Sequence, residues 1–145
     1  MRTRSILLAA LLALPLTAAC VTQQEVVKPS HATAPTMVAI NGSVNYTTGA
    51  QLPQGALVTV QALDGSRADA AATPVSESRW NTAGEQVPLS FTLPIDQKWF
   101  TSGKRLTIRA SIMIDGKLSY ATATPYLTNG AVPPGPITIM VAPVR

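Results

Sequence analysis

From residue 37 onward, apolar residues recur at every second position, the spacing of strands that bury one face. In "VAINGSVNY", Val38, Ile40, Gly42, Val44 and Tyr46 share a face, and in "ALVTVQALD" Val58, Val60 and Ala62 do the same. "VPLSFTL" alternates most cleanly, with Val87, Leu89, Phe91 and Leu93 on one side. "RLTIRASIMI" sets Leu106, Ile108, Ala110 and Ile112 against Thr107, Arg109 and Ser111, and "PITIMVAPV" contributes Ile137, Ile139 and Val141. Weaker patterns over 75–81 and 118–124 bring the total to about seven strands, separated by "TTGAQLPQG", "TAGEQ", "TSG" and "NGAVPPGP". Strands with one apolar face form sheets with one face to bury, so two sheets must pack together. The pattern therefore predicts an all-β domain, a single antiparallel β-sandwich with at most one short helical turn.

Helical signals are confined to two places. "RADAAATP" suits a turn before Pro74, and "PIDQKWF" suits one helical turn closing an end of the sandwich, with Trp99 and Phe100 as plugs over the core. Trp80 lies on a strand that starts at Pro74 and has polar flanks, the marks of a sheet edge. The hairpin "SIMIDGKLSY" allows two registers. A two-residue Asp115-Gly116 turn pairs Ile114 with Lys117 and turns Met113, Leu118 and Tyr120 outward as an apolar patch. A three-residue turn with Gly116 as a bulge pairs Met113 with Lys117 and sends Leu118 and Tyr120 to the core. The bulged register is the one expected. Trp80, Trp99 and Tyr120 are the expected interaction surface.

The first twenty residues follow a different pattern. Arg2 and Arg4 precede an eleven-residue apolar run, "ILLAALLALPL", and then the small residues "TAA". This is the order of a secretory leader. At about 1.5 Å per residue the run reaches only ~17 Å, short of a ~30 Å hydrocarbon core. The only cysteine, Cys20, comes next, and "LTAAC" resembles the bacterial lipobox, with Thr17 where leucine is usual. That resemblance implies cleavage before Cys20, acylation of its sulfur, and a mature chain held to a membrane by lipid. Val21 follows rather than an aspartate, which points to the outer membrane, with the domain facing the periplasm. The expected organisation is a leader over 1–19, a lipidated tether over 20–36 and a domain over 37–145. As a flexible coil, "VTQQEVVKPSHATAP" spans roughly 20 Å.

Composition removes several function classes. Without the leader, nine basic residues face seven acidic ones, and the cations near Lys98–Lys117 are interspersed with Asp96 and Asp115. Nucleic-acid binding wants a denser basic face with interleaved aromatics, so no nucleic-acid partner is expected. The lone histidine, His31, lies in the tether, and one cysteine with one histidine makes no metal site. Glu77 and Glu85 flank a turn, where exposed loop carboxylates are far commoner than a catalytic pair, and no glycine-rich phosphate loop is present. No enzyme, cofactor or metal is expected.

In order and spacing, "INGSVNY", "ALVTVQALDGSRADA", "EQVPLSFTLPID" and "IDGKLSYATAT" resemble the YbaY/YscW lipoprotein family, nearest its YbaY branch. "QVPLSFTLP" is the most specific piece. The resemblance implies a lipobox leader, a small β-sandwich and no catalytic residues, and one branch of that family contains pilotins, lipoproteins that escort secretin subunits to the outer membrane. The expected function is a non-enzymatic, chaperone-like interaction module of the cell envelope, attached to its membrane through Cys20 and contacting an envelope protein. The alternative is a binding protein for a small envelope ligand such as a glycan or lipid, stacked on an exposed indole.

Overall fold

The computed structural model describes residues 34–145 apart from 48–49, 67–70 and 102. Cys20, His31, the expected leader and the expected tether up to residue 33 lie outside the described residues, as does most of the expected turn before Pro74. The described residues form eight strands: β1 Met37–Asn45, β2 Leu57–Asp64, β3 Thr73–Asn81, β4 Leu89–Asp96, β5 Leu106–Ile114, β6 Lys117–Thr122, β7 Tyr126–Thr128 and β8 Ile137–Pro143. One 3-10 turn, Gln97–Trp99, follows β4 and is capped by the Asp96 carboxylate, which accepts from Lys98 N at 3.0 Å. The expected all-β architecture and its single helical turn are both there. The extra strand, β7, is three residues long and too short to carry an alternating pattern of its own.

Alternation places the core as the sequence reading expects. Ile40, Val44, Val58, Val60, Leu89, Phe91, Leu93, Leu106, Ile108, Ile112 and Ile139 are all buried in one cluster. The strands run in the order β3-β2-β5-β6-β8-β1-β4, with β7 beside β5. The two faces of the expected sandwich are joined by β8, whose first half pairs with β1 and whose second half pairs with β6. The result is a nearly closed, barrel-like sheet. It is antiparallel except for β1–β8, which is parallel. This is the one pairing that the expectation of an antiparallel sandwich did not include.

Closure between β3 and β4 is made by a side chain instead of a ladder, the Ser76 hydroxyl donating to Pro94 O. Both edges are poor templates for another strand. Pro94 has no N–H to offer, and β3 has Pro74 as its second residue and carries Glu77 and Arg79. Trp80 pairs with buried Val58 and packs half-buried against the core at this seam, consistent with its reading as an edge residue.

The start of β8 needs a residue without a side chain opposite it. A Cβ on Gly42 would lie 2.3 Å from Ile137 O and 2.7 Å from the Phe91 ring. Overpacking of a closed core costs about 1–3 kcal/mol. Gly42→Ala is therefore expected to lower stability by about that amount, read from the urea midpoint. An unchanged midpoint would mean that β8 does not begin against Gly42.

The hairpin between β5 and β6 resolves the register question by combining the two options. Asp115 (φ 49) and Gly116 (φ 74) form a two-residue turn of the type that suits strand twist, pairing Ile114 with Lys117 and Met113 with Leu118. The register then shifts by one residue, so Ile112 pairs with Tyr120. The bulge expected in the turn sits in the strand, at Ser119. Tyr120 reaches the core as expected, whereas Leu118 does not: it is 50% exposed, a correction to the bulged-turn register.

Candidate partner-binding face

The register of β3, β2, β5 and β6 fixes which side chains share the outer surface of that sheet. Trp80, Val58, Ile112 and Tyr120 point inward, so their neighbours point out. Leu57, Met113 and Leu118 form one row across three strands. Thr59, Ser111 and Ala121 form the next, and Gln61 and Arg109 the third. Small residues in the middle row make a floor, with apolar side chains on one bank and polar ones on the other. An open groove of ≈ 330 Å³ lies there, between Leu118 and Arg109 and bounded by Pro125.

Two local features build this groove. The Ser119 bulge turns Leu118 out of the core and places it beside Met113. Farther along, β6 leaves β5 at Thr122, whose hydroxyl stands in for the missing ladder by accepting from Ala110 N and donating to Ala110 O at 2.8 Å. β7 takes over as the partner of β5 only at Leu106–Ile108. The interval between β6 and β7 is the groove's polar end. On the polar bank, Gln61 Nε2 donates to Glu77 Oε2, and Arg79 pairs with Glu77 at 2.8 Å. Arg109 is exposed and has no carboxylate partner among the described residues.

The residues singled out in the sequence are scattered. Tyr120 is only 9% exposed and stacks on Tyr46 with ring centroids 5.1 Å apart. The Tyr46 hydroxyl donates to Ala50 O, and burial, followed by the neighbouring Tyr120, raises its pKa above the ordinary tyrosine value. Trp80 lies at the β3–β4 seam, and Trp99 lies at the far end of the barrel with Lys104 Nζ 4.9 Å from its ring centroid. Sugar stacking needs a free indole face, and Lys104 occupies one face of Trp99. Leu118 and Met113, which do form a surface row, entered the sequence reading only through the alternative hairpin register. Among the described residues no group of three His, Cys, Asp or Glu side chains is placed to hold a metal ion.

The family of type III secretion system lipoprotein chaperones, YscW, matches residues 35–135, which is most of the chain and all strands from β1 to β7. The chain belongs to the YscW family. A solved structure of an alternative pilotin from the type II secretion system of Vibrio cholerae is 34% identical to it, with a TM-score of 0.68. That match covers 76% of this chain and 99% of the pilotin. No curated protein matches. The YscW family and this structural neighbour are chaperone and pilotin types, not enzymes.

Proposed function

We propose that this YscW-family protein is an outer-membrane lipoprotein, anchored through Cys20 with its domain in the periplasm, that holds or escorts a secretion-system protein without catalysing a reaction. The observation that supports this most is the family match over residues 35–135, joined by a 34%-identical neighbour that is itself a pilotin. The contact is assigned to the outer face of β2, β5 and β6. Strand addition is disfavoured by the blunted β3 and β4 edges, whereas the groove offers an apolar bank at Leu118, in one row with Met113 and Leu57, and at Arg109 a cation with no carboxylate partner among the described residues. An amphipathic segment with apolar and acidic residues fits those two banks.

A photoreactive residue at Arg109 should crosslink the partner in cells, and one at Ser90, on the outer side of β4, should not. Leu118→Glu should weaken the Arg109 adduct by about tenfold or more, the scale of losing one central apolar contact. Equal adducts from Arg109 and Ser90 would remove this face as the binding site.

A further inference from the structure

The tether enters the domain at one particular end. Thr36 O accepts a hydrogen bond from Gln97 N at 2.8 Å, so the chain arriving from Cys20 joins β1 directly beside the 3-10 turn. The same end carries Lys98, Trp99, Phe100, Lys104 and Arg105, because Met37 pairs with Asp96 and the short connection to β5 follows. Trp99 and Phe100 are half-buried against the core, and Lys104 is held over the Trp99 ring. Met37, at the junction with the tether, is 52% exposed.

Among the described residues the charges at this end are not balanced. Asp96 is committed to Lys98 at 2.8 Å, and Asp64 accepts from Ser66 N. Among the described residues no carboxylate pairs with Lys104 or Arg105, and the two cations line an open concavity with Asn129. Tryptophan with lysine or arginine is the side-chain pairing of the bilayer interface, where the ring sits among headgroups and the cation meets phosphate. The opposite end differs, with Asp115 beside Lys117 at the hairpin tip.

We propose that the end face formed by Trp99, Lys104 and Arg105 docks on the anionic phospholipid surface to which Cys20 anchors the chain. This rests on the lipoprotein reading of Cys20. A weak contact suffices, because a coil of roughly 20 Å keeps the domain at high effective concentration next to its own membrane. Docking through this end sets the barrel upright on the bilayer and leaves the groove on the side of β2, β5 and β6 open to a partner.

The test uses the mature chain carrying Cys20→Ser, so that no acyl group contributes. Its sedimentation is followed with vesicles of phosphatidylethanolamine and phosphatidylglycerol, and with vesicles of phosphatidylcholine alone. The protein should pellet with the anionic vesicles, and less as salt rises. Lys104→Gln and Arg105→Gln should each lower the partition coefficient roughly fivefold, the usual contribution of one cation near an anionic surface. Lys117→Gln, at the other end, should leave it unchanged. Equal pelleting with both vesicle types overturns the proposal, as does a loss for Lys117→Gln matching that for Lys104→Gln. So does release by inorganic phosphate beyond that caused by chloride of equal ionic strength, which would mark a phosphate pocket instead of a lipid surface. Acylation of Cys20 is read separately, by palmitate labelling, so failure of the anchor and failure of the docking face give different results.

Discussion

Phe91→Ala is expected to lower the free energy of unfolding by about 3–5 kcal/mol, the range for removing a buried phenylalanine. The surroundings argue for the upper part of that range. Phe91 is 6% exposed and pairs across β4–β1 with Gly42, whose missing side chain is what makes room for the ring. Truncation would leave a void beside a glycine, which has no side chain to move in, with Ile137 at the start of β8 held in the closed core next to it. The cost depends on how well a site collapses, and this one collapses poorly. Urea denaturation of the mature chain should show a lower midpoint with an unchanged slope, because the surface exposed on unfolding stays nearly the same. Phe91→Leu keeps most of the volume and should cost less than about half as much. A loss below about 1 kcal/mol for Phe91→Ala would mean that β4 is phased with its other face to the core.

That phasing is the part of the fold most legible in the sequence. β4 alternates buried and exposed without a break from Leu89 to Ile95, because each residue there has a single choice of face. β2 is less legible, since Thr59 is buried although it lies on the outer face, between β3 and β5, and period two is blurred. β7 gave no signal: three residues hold too little pattern, and what secures it includes the buried Thr128 hydroxyl accepting from Leu106 N across 22 residues of chain. The parallel placement of β8 was also out of reach, since alternation reports which face is buried and not which neighbour or direction a strand takes. Gly42 was placed on the core face by its spacing, but the reason for a glycine there is the approach of Ile137, a contact between distant segments.

The candidate site was legible only in part. Both hairpin registers could be written down from "IDGKLSY", and their consequences for Leu118 and Tyr120 followed from the pleat. The observed solution mixes them, because a tight Asp-Gly turn satisfies the strand twist while the Ser119 bulge returns Tyr120 to the core beside Tyr46. Local turn chemistry and core packing each prevailed at their own end of β6. Leu118 was left outside as the residue between them. Trp99 packs against the core as the plug its place after β4 implies, and Trp80 packs at the edge its flanks imply, so neither indole is a free surface, one lying at a seam and one under a lysine.

Cys20→Ser is expected to abolish incorporation of labelled palmitate and, at matched expression, to fail to rescue a strain lacking the protein. The two outcomes test different links. Loss of label tests the covalent anchor, for which the chain offers one cysteine directly after the expected leader. Loss of rescue tests whether location is part of the function. In the proposed role the lipid supplies the address and the groove at Leu118 and Arg109 makes the contact, so an unanchored domain still binds its partner in solution but delivers it nowhere. The same unacylated protein should therefore retain the Arg109 crosslink in a mixture with its partner. Tethering raises effective concentration only for molecules at the same surface, within roughly 20 Å of the anchor for a coil of this length. Release into the periplasm removes that advantage and the address together. A protein acting on a diffusible substrate would lose little from the same release, because its encounters do not depend on where it is held. Full rescue by Cys20→Ser would thus count against a surface-bound escort, and palmitate label persisting in the variant would show that the anchor is not Cys20.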